Sequence, residues 1–188
     1  MNSVLRPTLA IFSVLTVVSG LVYPALVTVL AQGLFPDQAS GSLVEREGQV
    51  VGSRLIGQSF SDPKYFWGRP SATAETAYNS AASGGSNLGP TNAGLLQRVK
   101  DRTAVLRASD RDNKAPIAVD LVTASASGLD PHISPAAAQW QVPRVARARG
   151  ISEAAVHDLV AVHTEERILG ILGSPRVSVL ALNLALDR

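Results

Sequence analysis

Residues 9–34 read LAIFSVLTVVSGLVYPALVTVLAQGL, and no charged residue stands between Arg6 and Asp37. A hydrocarbon core of about 30 Å needs roughly 20 apolar residues at about 1.5 Å rise each, and this run supplies them. It predicts one transmembrane helix over residues 7–34. A secretory signal is the competing reading, because Arg6 precedes the run and Val29-Leu30-Ala31 before Gln32 offers small residues for cleavage. The run is longer than the roughly 7–15 apolar residues of a signal, which favours an uncleaved anchor. Pro24 removes one backbone donor inside the span, which membrane helices tolerate where hydroxyls or neighbouring helices satisfy the freed carbonyl. Ser19 and Gly20, one turn earlier, form a small surface where another helix can approach. Ser19, Gly20 and Pro24 are therefore candidate partner contacts within the membrane.

The flanks set an orientation. Arg6 lies on the amino side, while Asp37 and Glu45-Arg46-Glu47 follow the span. Basic residues mark the cytoplasmic side, so residues 1–6 are expected inside and residues 35–188 outside. Roughly 150 residues beyond the span suit one modest domain with its own core. The 188-residue chain has no cysteine, so that domain must be held by packing rather than disulfides. A formal net charge of +2, with no basic block, argues against a nucleic-acid partner.

The domain reads as mixed α/β (α+β). Gln49–Phe60 predicts a short strand with a turn or bulge, and residues 79–90 a small-residue surface loop. Thr91 or Asn92 caps a helix to about Ala108, with Leu96, Val99, Thr103 and Leu106 on its inner stripe. Ile117–Thr123 is expected as a strand. Pro135 opens a helix that Gly150 closes, with Pro143 kinking or splitting it. Ser152 caps another whose inner face is Val156, Leu159, Val160 and His163. Leu180, Leu182, Leu184 and Leu186 alternate along 177–186, which predicts a buried final strand.

Two stretches hold residues with chemistry. Tyr65-Phe66-Trp67-Gly68-Arg69 could stack on a ligand, or else cover the core from a loop. Between Ser125 and Pro135 stand Ser125, Ser127, Asp130 and His132, which could supply a nucleophile with its base or metal ligands. The simpler reading of Asp130 and Ser134, each before a proline, is as turn and helix caps. His157 and His163 are six apart and cannot form the i, i+4 pair of a zinc helix. No phosphate-cradling Gly-x-x-x-x-Gly-Lys, no Gly-x-Ser-x-Gly and no paired metal cluster is found, so no catalytic or metal residue is assigned.

Several stretches together resemble one family. Phe66-Trp67-Gly68-Arg69-Pro70-Ser71-Ala72, residues 83–90, the run Gly128-Leu129-Asp130-Pro131-His132-Ile133-Ser134-Pro135 within 122–138, and residues 177–187 all resemble the C subunit of the Kdp potassium-transporting ATPase, the KdpC family. The resemblance covers the whole chain. Ala126 stands where family members usually carry glycine, and Ser174 and Ser178 where they commonly carry Glu and Asn. The resemblance implies a non-catalytic subunit of a membrane complex. Its partners would be a channel-like A subunit that handles potassium, a P-type ATPase B subunit and a small F subunit. The family role it implies is that of a catalytic chaperone raising the affinity for ATP. By the same analogy Ser125, Ser127 and Gly128 would touch the nucleotide. Trp67, Arg69, Asp130 and His132 join Ser19, Gly20 and Pro24 as candidate partner contacts. Residue reading alone leaves two alternatives open: a membrane-anchored extracytoplasmic enzyme using Asp130, His132 and one of the serines, Ser125 or Ser127, and a solute-binding module built on Tyr65–Arg69.

Overall fold

The computed structural model of the chain describes residues 2–188, with side chains from Val4 onward. The chain divides into two compact units, Met1–Val51 and Gly52–Arg188.

In the first unit, α1 (Asn2–Val17), a π turn (Val18–Val22) and α2 (Tyr23–Leu34) form one continuous rod. Its 31-residue apolar segment Val4–Leu34 is long enough to cross a membrane and has no buried residues. The π turn falls just before Pro24, with Tyr23 N–H bonded to the Val18 carbonyl. Proline has no N–H to continue the α ladder, and its ring crowds the carbonyl four residues earlier; a locally wider turn relieves that crowding. Ser19 Oγ donates to the Leu15 carbonyl at 2.6 Å, and a side chain added at Gly20 would meet nothing within 4 Å. The rod ends at Phe35, followed by the short α3 (Pro36–Ala39). β1 (Leu43–Arg46) then pairs with β2 (Gln49–Ser53). The two-residue loop of this hairpin, Glu47 and Gly48, has positive φ at both positions, as a tight hairpin turn requires.

The second unit is the mixed helix and strand domain. Its helices are α4 (Ala93–Ser109), α5 (Pro135–Arg149), α6 (Glu153–Val162) and α7 (Val179–Leu186). Its three short strands β3 (His132–Ile133), β4 (Thr164–Glu165) and β5 (Arg176–Ser178) pair antiparallel in the order β3-β5-β4. Ile133 and Thr164 both lie opposite Val177. The helix starts follow the capping rules, with Asn92, Ser134 and Ser152 each accepting a backbone N–H of the first turn. Gly150 adopts the left-handed conformation that ends α5. That helix is the centre of the core, burying Ala137, Ala138, Trp140, Val142, Val145 and Ala146. It runs unbroken through Pro143. α6 buries Val156 and Val160 and half-buries Leu159 and His163, the face expected from its spacing.

Three expectations are corrected. Residues 179–186 are a helix, not a strand: only residues 176–178 are extended, and Ser178 then caps α7. Val179, Leu182 and Asn183 are buried and Leu186 packs on the core, a helical i, i+3, i+4, i+7 set that the alternating leucines mask. Residues 117–123 hold only a single 3₁₀ turn, Val119–Leu121, with Leu121 buried and Val119 exposed. In α4 the inner stripe runs through Leu95, Val99, Thr103 and Leu106, while Leu96 faces outward.

Candidate functional site

The segment Tyr65–Arg69 is fixed by two buried amide side chains that sequence reading missed. Phe66 N–H donates to Asn183 Oδ1 at 2.8 Å, and Asn183 Nδ2 returns a bond to the Phe66 carbonyl at 3.0 Å. Trp67 exchanges the same pair with Gln141, at 2.8 and 3.1 Å. Consecutive residues of an irregular segment are thus paired as a strand would be, by side chains of α7 and α5. This satisfies peptide groups that could not be buried otherwise.

The aromatics serve the core. Phe66 is fully buried and Trp67 nearly so. The guanidinium of buried Arg144 lies 4.3 Å from the Trp67 ring, and that of Arg102 lies 5.7 Å away. Arg144 also bonds the carbonyls of Pro63 and Tyr65 and the Gln141 side chain. Burial lowers the Arg144 pKa to about 10, so it stays charged at neutral pH. Trp67 therefore sits in the domain interior, and the surface begins at Arg69.

Arg69 is the hub of an open groove of about 580 Å³, lined also by Asp120, Asp130, His132, Ser134 and Arg176. Its guanidinium bonds the carbonyls of Thr123 and Ala124, at 3.4 and 3.1 Å, and Asp130 Oδ2 at 3.1 Å. Tyr78 Oη holds the Arg69 carbonyl at 2.6 Å, and burial raises the Tyr78 pKa. Asp130 Oδ1 accepts from the His132 backbone N–H at 3.0 Å and lies 3.6 Å from His132 Nδ1. Burial alone would raise the Asp130 pKa, but the bonds from His132 and the charge of Arg69 outweigh it and hold it below the usual value. Asp120 accepts from Ser134 N–H at 2.7 Å and Oγ at 3.1 Å, tying the 3₁₀ turn to the start of α5.

The structure therefore brings Arg69 to Asp130, 61 residues further along the chain, and to its near neighbour His132. Ser125 and Ser127 are turned into their own loop: Ser125 Oγ accepts from Gly128 N–H at 2.9 Å and Ser127 Oγ from Leu129 N–H at 3.1 Å. That loop is packed on the Gly84-Gly85 segment, where Gly84 N–H bonds the Ser127 carbonyl at 2.9 Å. A side chain at Gly128 would stand 2.7 Å from the Gly84 carbonyl oxygen, and one at Gly85 would stand 2.8 Å from that of Ala126. Among the described residues no group of three or more His, Asp and Glu could hold a metal ion. His163 keeps Nδ1 2.9 Å from the Leu159 carbonyl, and His157 is exposed.

Comparison with known proteins covers the full length. Residues 5–188 match the family described as "KdpC: K+-transporting ATPase, c chain". A protein of Sorangium cellulosum named "Potassium-transporting ATPase KdpC subunit" is 62% identical, over 97% of this chain and 96% of that one. A protein of the same name from Variovorax paradoxus is 61% identical over 100% and 97%. One from Methylococcus capsulatus is 61% identical over 97% and 96%.

Proposed function

The chain belongs to the KdpC family, and from that premise we propose that it is a non-catalytic accessory subunit of an ATP-driven potassium import complex. In this reading it stabilises the assembly and assists the ATP-hydrolysing subunit. Its partners are a potassium-conducting A subunit, a P-type ATPase B subunit and a small F subunit. The apolar segment Val4–Leu34 anchors it in the plasma membrane, with residues 1–6 cytoplasmic and the domain from about residue 35 outside; Arg6 ahead of the span supports this sense. Ser19, Gly20 and Pro24 are the helix contacts, and Arg69, Asp130 and His132 mark the groove available to a partner of the domain.

The observation that carries the non-catalytic reading is the closure of the Ser125–Gly128 loop. A triphosphate cradle presents backbone amides and a nearby cation. Here the Gly128 and Leu129 amides are engaged by the loop's own serines, and Arg69 spans Thr123, Ala124 and Asp130. The loop thus supports the groove wall. The test joins topology to assembly. A reporter fused after Arg188 should be active only outside the cytoplasm, and deletion of the chain should abolish potassium-stimulated ATP hydrolysis by the remaining subunits. A cytoplasmic reporter would overturn the orientation, and unchanged hydrolysis would remove the accessory role.

A further inference from the structure

The turn between β4 and β5 exposes four large aliphatic side chains: Ile168 at 64%, Leu169 at 85%, Ile171 at 74% and Leu172 at 57% of their full area. No charged residue stands between Arg167 and Arg176. So dense an apolar tip, on a segment of only five residues, marks a surface that is covered when the protein works.

The backbone of the tip is closed on itself. Ile168 and Leu172 exchange both hydrogen bonds, at 2.9 and 3.0 Å; Gly170 N–H bonds the Arg167 carbonyl, and Ile171 N–H bonds that of Ile168. Four peptide donors are thus satisfied within the turn. This lowers the cost of entering a medium without water, where an unpaired peptide group is costly, and leaves the Leu169 N–H and the Leu169, Gly170 and Ile171 carbonyls to the polar headgroups of a shallow insertion. At the base, Arg176 Nε pairs with Glu165 at 2.8 Å, keeping charge at the level of the strands and out of the tip.

We propose that the Ile168–Leu172 turn inserts into the bilayer surface as a second, shallow membrane contact of this chain. Lipid is favoured over a protein partner on composition. Protein hot spots are rich in Trp, Tyr and Arg and poor in Leu, whereas the side chains of this tip are only Ile and Leu, aliphatic groups that partition into acyl chains. The proposal rests on the reading of Val4–Leu34 as a membrane span, which keeps the domain at high local concentration beside lipid.

The chain has no cysteine, so Leu169→Cys gives a single site for an environment-sensitive fluorophore on the full-length protein. Reconstituted in phosphatidylethanolamine and phosphatidylglycerol vesicles, the labelled chain should show blue-shifted emission. Lipids spin-labelled near the head of the acyl chain should quench it about twofold. Adding Ile171→Ser and Leu172→Ser should abolish the quenching, with the thermal melt of the domain unchanged because these positions are exposed. Unquenched emission from chain that resists an alkaline carbonate wash overturns the insertion while leaving the anchor intact. Release of the chain by that wash overturns both. Emission that shifts only when the other subunits are added assigns the turn to a protein contact and likewise overturns it.

Discussion

Asn183 and Phe66, 117 residues apart, exchange both backbone-type hydrogen bonds in the fully buried centre of the domain. Truncating Asn183 to Ala leaves one N–H and one C=O unsatisfied, and each such group costs about 1–3 kcal/mol. With an unfolding entropy of about 2.1 cal/mol/K per residue over Gly52–Arg188, a loss of about 3 kcal/mol lowers Tm by about 10 °C. Asn183→Asp should also destabilise, since it removes the donor to the Phe66 carbonyl. Thermal melts followed by tryptophan fluorescence check both; a shift below about 2 °C for Asn183→Ala would show that the clamp is not needed.

The Asp130 carboxylate predicts an acid-side dependence. Its folded pKa is held below the usual value, so its contribution is complete above the unfolded value of about 3.9 and is lost as pH falls through the lower folded value. The difference in unfolding free energy between the natural chain and Asp130→Asn should shrink as pH falls below about 4. Urea melts across that range measure it. A difference that grows as pH falls below about 4 would place the carboxyl on the raised side and contradict the Arg69 and His132 contacts.

Two glycines separate strain from collision. Gly150 and Gly128 have nearly the same positive φ, 67° and 68°, but a side chain at Gly150 meets nothing within 4 Å. Gly150→Ala should therefore cost only the conformational penalty, about 1 kcal/mol. Gly128→Ala adds collisions with the Gly84 carbonyl oxygen and Thr73, so it should cost at least about 2 kcal/mol and open residues 79–90 to proteolysis. Equal losses in the two variants would mean that the loops do not pack as described.

The sequence exposes most strongly those features whose cause is local. The charge gap from Arg6 to Asp37 marks the apolar span, and Asn92, Ser134, Ser152 and Gly150 mark helix ends, because capping is decided within a few residues. Residues 177–186 mislead because leucine at every second place imitates strand alternation, while alanine and leucine are also strong helix formers. Ser178, as a cap, was the available signal. The groove is only half legible: Asp130 and His132 stand out together in one connection, but the Arg69–Asp130 pair joins residues 61 apart, and nothing periodic announces it. Gln141 and Asn183 leave still less trace. A polar residue on an otherwise apolar helix face becomes meaningful only when its backbone partner is known.

The wide turn at Val18–Val22 makes the apolar rod a two-part object. An extra residue in one turn of a helix with 3.6 residues per turn advances every later side chain by about 100°, so residues before and after it do not share one continuous stripe. Removing one residue from Val18–Val22 would shorten the span by only about 1.5 Å, which a bilayer tolerates. It would nevertheless rotate Ser13 and Thr16 against Val27 and Leu30. Such a deletion should leave the chain in the membrane fraction yet reduce its co-purification with the other subunits, whereas moving the deletion below Phe35 should not. The rod would then act as a phase coupler, whose length holds the chain in lipid and whose angular offset selects its neighbours.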